Sequence, residues 1–118
     1  MPNFIVIYHS PASEWELRAE DQRTRADTEI RAWAAWAQAA GPRLREYGSL
    51  LGDAHSVTHS GTSRSTLNGT ATAYSFLEAA DMAEATALLR QHPHIADTPG
   101  ATIEVYEVLP WPEASSAA

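Results

Sequence analysis

Residues 71–109 read as a strand, a helix and a second strand, and a unit of that kind dictates what the rest of the chain must supply. Ala71, Thr72, Ala73, Tyr74, Ser75, Phe76 and Leu77 make the first run, and Thr102, Ile103, Glu104, Val105, Tyr106, Glu107 and Val108 make the last. Between them, Asp81 is placed to accept from the unpaired amides of a first helical turn. Glu84, three residues on, completes the spacing of a capping box. Met82, Ala85, Leu88 and Leu89 recur at helical spacing, with Glu84 and Gln91 on the opposite side. Pro93 stops the helix just after His92. A crossover helix joining two strands of one sheet leaves edges and a face that other segments have to cover.

Asn3 to His9 is a strand with two apolar faces: Phe4, Val6 and Tyr8 on one, Ile5 and Ile7 on the other, with His9 at the end of the latter. A strand of this kind is central and has something packed on each side. A main helix is expected over residues 20–40, with Glu20 and Asp21 suiting its N-terminal turn. Its inward stripe is Ala26, Ile30, Trp33, Ala37 and Ala40, with Trp36 at the border, and Gly41 and Pro42 end it. Residues 42–48 read as a further helical turn with Leu44 and Tyr47 inward. Residues 54–60 read as a polar edge strand, with His55, Val57 and His59 on one face. A hairpin loop over 61–69 follows, ending in Asn68 and Gly69. Residues 1–110 then form one domain and residues 111–118 a C-terminal tail.

The order β-α-β-β-α-β is the ferredoxin-like pattern of the α+β class, with strands 3–9 and 71–77 central and both helices on one face. Those two strands are apolar on both faces, yet two helices cover only one. A second copy packed sheet against sheet about a two-fold axis is the simplest cover, so a homodimer is expected.

Composition removes several function classes. The net charge of −7 argues against nucleic acid or an anionic membrane as partner. All eight basic residues are arginines, so lysine nucleophiles and Schiff-base chemistry are excluded. The chain has no cysteine, which excludes disulfides, thiolate nucleophiles and Cys-based metal sites. No apolar run approaches the ~20 residues of a membrane span, and the first residues lack the regions of a signal peptide. A cytoplasmic protein is the expectation.

Several segments together resemble the YCII-related family of dimeric α/β-barrel proteins. They are Phe4 to Tyr8; the helix through Trp33 and Trp36 ending at Gly41; Gly48 to Gly52; the run Tyr74 to Asp81; His92, Pro93 and His94; and Ile103 to Val105. The resemblance covers nearly the whole chain and implies a ferredoxin-like fold whose dimer closes a barrel-like space. It does not imply an activity. Some members use a His early in the first helix together with an Asp, for elimination chemistry on aromatic substrates. Residues 20–40 contain no His, and Ile30 stands roughly where it would fall, so that pair is not carried over. More remote relatives of the same barrel include cofactor-free monooxygenases and polyketide-cyclase-like proteins.

Histidines are the main candidates for chemistry because they titrate near neutrality. His9, at the end of a central strand, is one, with Glu104 or Glu107 to orient it. His55 and His59 are the others; four residues of strand separate them by roughly 13 Å, too far for one metal ion. Tyr8, Trp36, Tyr74, His92 and Tyr106 are the candidates for lining a pocket, with Tyr47 a weaker one and Trp33 a core residue. His92, Pro93 and His94 also read simply as a helix stop. No metal site and no cofactor are expected. The preferred reading is a homodimer enclosing a small aromatic or polyketide-like molecule, with a cofactor-free elimination, cyclisation or isomerisation carried by His9, His55 and His59. The alternatives are a non-enzymatic module that binds a metabolite or a protein, and a cofactor-free monooxygenase of the same fold.

Overall fold

The computed structural model of the chain describes residues 1–10, 19–51, 54–64, 71–97 and 100–112, with 19–29, 64 and 97 described by backbone alone. In chain order the elements are β1 (Asn3–His9), α1 (Ala19–Ala40), a single 3-10 turn (Gly41–Arg43), β2 (Leu44–Leu50), β3 (His55–Thr58) and β4 (Gly61–Arg64). They continue with β5 (Ala71–Glu78), α2 (Met82–Arg90), α3 (Pro93–Asp97) and β6 (Thr102–Val108). The protein is of the α+β class. Four strands form an antiparallel sheet in the order β2-β5-β1-β6, and β3 with β4 forms a separate two-stranded sheet. No helix among the described residues is long and apolar enough to cross a membrane.

The two strands expected at the centre are there, and β1 divides its faces as its alternation requires. Phe4, Val6 and Tyr8 are at most 1% exposed, while Ile5, Ile7 and His9 are only half-buried. The buried face of β1 meets Ala73 and Leu77 of β5 and Ala85 and Leu89 of α2. Trp33 and Trp36 of α1 and Ile103 and Val105 of β6 pack around this cluster. Both longer helices therefore cover the same side of the sheet. Ile30, expected in the inward stripe of α1, is instead 63% exposed; the helix packs on the core through Trp33 and Trp36, one turn and more beyond it.

The largest departure from the sequence reading concerns the outer strand. Most of residues 42–48, expected as a helical turn, belongs to β2, which runs over Leu44–Leu50 and pairs with β5; residues 54–60, expected as that edge strand, contribute only β3 to a hairpin outside the main sheet. The chain leaves α1 through Gly41 at φ +59, uses Pro42 and Arg43 for one tight turn, and is extended by Leu44. Pairing of Leu44 with Leu77 lays Leu44 over the core. Leu44 and Tyr47 carry a helical spacing, but the open edge of β5 offers backbone partners that an isolated turn lacks, and tertiary pairing overrides local propensity. The β3–β4 turn falls at His59 and Ser60, where Thr58 Oγ1 accepts from the Ser60 amide at 3.2 Å. Gly61–Arg64, read as part of a loop, is β4. Asn68 and Gly69, with residues 65–70, lie outside the described residues, as do residues 113–118 of the expected tail.

The α2 signals act nearly as read. Asp81 caps the helix, its carboxylate accepting from the Glu84 amide at 2.9 Å. Reciprocally, the Ala80 amide donates to the Glu84 carboxylate at 3.1 Å, one residue earlier than a capping box places that donor, and Arg43 pairs with the same carboxylate. Asp81→Ala is expected to cost about 1 kcal/mol by urea denaturation; a loss under a few tenths would mean that solvent replaces the cap. The helix ends at Arg90, short of the end just after His92 that Pro93 suggested, and Pro93 instead opens the short α3, where its missing amide is harmless.

Candidate functional site

Successive residues of β1 project to opposite sides of the sheet, so Tyr8 and His9 belong to two different groups of side chains. On the side away from the helices, His9 Nε2–H donates to Glu104 Oε1 at 2.7 Å, and the Tyr106 hydroxyl donates to Glu104 Oε2 at 3.0 Å. Both carboxylate oxygens are thereby engaged. Donation to Glu104 holds the Tyr106 phenol above its ordinary pKa, and the attraction of its proton to that carboxylate adds to the effect. The His9 side chain is 18% exposed and that of Glu104 52%. Around them the same face carries Ile5, opposite Phe76 and Tyr106, and Ile7, opposite Tyr74 and Glu104. The Tyr74 and Phe76 rings meet edge to face at 5.9 Å.

Tyr8 faces the helices. Its hydroxyl shares a hydrogen bond with Ser75 Oγ at 2.8 Å, and both side chains line a small cavity of about 10 Å³ that is partly open to solvent. Trp33, Trp36 and His92 wall the pocket from the helix side, and Leu44 and Tyr47 close it toward β2. None of the lining residues among those described carries a formal charge. Burial pushes the Tyr8 phenol up to about 12, against a smaller opposing effect of the Ser75 bond. Trp36 turns its ring N–H away, to the Leu88 carbonyl at 3.1 Å.

His92 is the least expected member of this group. It is 0% exposed, with the rings of Trp33 and Trp36 each centred 4.5 Å away and that of Tyr8 at 4.8 Å. Its carbonyl accepts from the Ile95 amide at 3.1 Å, and its Nδ1 accepts from the His94 amide at 3.0 Å, so the residue caps α3. Nδ1 is thus an acceptor, and the proton of the neutral ring sits on Nε2. That Nε2–H has no hydrogen-bond partner among the described residues. Burial, with the neighbouring His94 adding to it, lowers the His92 pKa to about 3. His94 donates from Nε2 to the His9 carbonyl at 2.7 Å and so ties α3 to the end of β1.

The residues expected in one site are therefore divided by the sheet. His9 and Tyr106 come together through Glu104, while Glu107, the other acid considered, is exposed and pairs in register with Phe4. Tyr74 shares that face. Tyr8, Trp36 and His92 lie on the other, in the pocket. His55 and His59 sit exposed on the β3–β4 hairpin, outside the four-stranded sheet that carries His9; with β2 taking the edge of that sheet, their segment does not pair with β5. Among the described residues, no three His, Asp or Glu side chains gather in a way that could hold a metal ion. Ser75 was missed in the sequence. Its signal was a hydroxyl between Ala73 and Leu77 on a face that is otherwise apolar, within reach of the Tyr8 phenol. Compared with models of known protein families and with curated proteins, the chain matches none.

Proposed function

We propose that the chain is a homodimeric protein of the ferredoxin-like, YCII-related kind. In this reading two sheets meet face to face as a dimeric α/β barrel, and His9 carries cofactor-free acid–base chemistry on a small organic molecule held between them. The observation that carries this reading is the chain of hydrogen bonds from His9 through Glu104 to Tyr106 on a half-buried apolar face. A general base needs a fixed ring and a defined tautomer. With Nε2–H directed at Glu104, the basic lone pair of the neutral ring lies on Nδ1. Nδ1 takes a proton from an acidic C–H or O–H of the bound molecule and returns it to a second atom, the balance required for an elimination, cyclisation or isomerisation. Glu104 stabilises the imidazolium formed between the two transfers, and Tyr106 holds the carboxylate in place. Tyr74 and Phe76 offer flat surfaces beside this group, which suits an aromatic or polyketide-like compound.

The second copy is supported by the apolar, half-buried Ile5, Ile7, Tyr74 and Phe76 and by Tyr106, 52% exposed. Native mass spectrometry of unstripped protein is expected to give a dimer carrying a reproducible small-molecule mass. With that compound as substrate, His9→Gln is expected to lower kcat by about a hundredfold or more while leaving the dimer intact. A monomer at micromolar concentration, or unchanged turnover in His9→Gln, would overturn the proposal. The second reading, a binding module without chemistry, is favoured by the lack of any His in residues 20–40. It predicts a retained ligand that returns from the dimer chemically unaltered.

A further inference from the structure

We propose that His94 is a positioning residue for His9: from the helix side of the sheet it holds the end of β1, so that the His9 imidazole keeps its bond to Glu104 on the other side. The inference rests on the reading of His9 as the acid–base group. β1 ends at His9, which pairs with the first residue of β5, Ala71, and with the first residue of β6, Thr102, so all three strands stop at one row. The pairing with β5 is also irregular there. Tyr8 pairs with Ala73 and His9 with Ala71, which leaves Thr72 between them without a counterpart on β1. An extra residue of this kind redirects the side chains beside it, and the ends of ladders are where a sheet opens first. His9 therefore sits where strand pairing constrains the backbone least.

Two side chains hold this row from outside the ladders. Thr72 Oγ1 donates to the Tyr8 carbonyl at 3.2 Å, and His94 Nε2–H donates to the His9 carbonyl at 2.7 Å. His94 is itself fixed at both ends. It is 7% exposed, its ring meets those of Tyr8 and Trp33 edge to face at 5.6 Å and 5.7 Å, and its amide donates to Nδ1 of the fully buried His92. The bond to the carbonyl fixes the peptide plane that leaves His9, and with it the direction in which the side chain sets out. Nε2 lies at the far end of that side chain, where a small backbone rotation gives the largest displacement. The 2.7 Å bond to Glu104 tolerates little of it. Such support matters for chemistry, since a misplacement of roughly 1 Å costs a reaction about a hundredfold. His94 acts through the backbone and does not touch the bound molecule.

The test reads the tautomer of His9 in the full-length protein, by long-range 1H–15N correlation from its carbon-bound ring protons. It is run at about pH 8, where an ordinary imidazole is neutral. The unaltered protein is expected to show one tautomer, with the proton on Nε2. His94→Phe keeps a ring beside Tyr8 and Trp33 and removes the donor. It is expected to give a mixture of both His9 tautomers, while Tyr106, whose partner Glu104 lies on its own strand, keeps its raised pKa. His94→Gln restores an N–H of similar reach and is expected to return the single tautomer. A single Nε2–H tautomer that survives His94→Phe would overturn the proposal. So would a mixture that His94→Gln does not reverse, because loss of packing around α3 then accounts for it. Should the phenyl ring not be accommodated, His94→Ala takes its place with the same outcomes. Without any variant, absence of a scalar coupling between His94 Nε2 and the His9 carbonyl carbon would overturn the proposal as well. Mixed tautomers already present in the unaltered protein would remove the acid–base reading of His9 itself; a fixed tautomer indifferent to His94 would remove only the positioning role.

Discussion

Gly48→Ala is expected to destabilise the protein by about 3 kcal/mol or more, measured as the shift in urea midpoint at constant m-value. Gly48 has φ +82, in the left-handed region where a Cβ costs ~1–2 kcal/mol on its own. The larger effect is steric. A Cβ built at this position would lie 1.7 Å from the Tyr74 carbonyl oxygen and 2.6 Å from its carbon, both backbone atoms of the neighbouring strand. The obstacle cannot rotate away, so β2 must separate from β5 where Ser49 pairs with Tyr74. Gly41 is the internal control. Its φ is +59, but nothing lies within 4 Å of an added Cβ, so Gly41→Ala should show only the ~1–2 kcal/mol backbone cost. Similar losses at the two positions would mean that β2 shifts to accept the methyl group.

Acidification is expected to weaken the fold steeply between pH 6.5 and 3, and His92 is expected to supply much of the slope. Its pKa is about 6.5 in the unfolded chain and about 3 in the fold. Between those values the unfolded state binds the extra proton, so stability is full above pH 6.5 and falls as pH drops toward 3. Each pH unit between the two values is worth ~1.4 kcal/mol, which bounds the loss at roughly 5 kcal/mol. Carboxylates titrate in the same window, so the informative quantity is the difference between the stability curves of the protein and of His92→Phe. That variant leaves the His94 amide without its acceptor and is expected to be less stable at neutral pH. The two curves should converge as the pH falls. Parallel curves would show that His92 takes up no proton on unfolding.

The central strands and the capped second helix were legible because each rests on a local rule: alternation with period two, and a carboxylate three residues before an amide. An acid of the last strand for His9 was legible as well, because that strand pairs with β1, but the choice between Glu104 and Glu107 needed the register. The exchange of 54–60 for 44–50 at the sheet edge was not, since Leu44 and Tyr47 are spaced as in a helix and only the open edge of β5 decides otherwise. The role of His92 was hidden for a related reason. A histidine after a helix reads as a stop. That its Nδ1 caps the next turn and thereby fixes the proton on Nε2 follows only from the short step between α2 and α3.

The placement of Tyr8 and His9 on adjoining positions of one strand has a consequence for how the protein can change over evolutionary time. Their side chains face chemically unlike compartments, so each can be altered by substitution with little disturbance to the other. Insertion or loss of a single residue earlier in β1 is a different matter. It would invert every side chain that follows, sending the imidazole among the indoles and the phenol to the opposite surface. Point changes on this strand are separable; changes in its length are not.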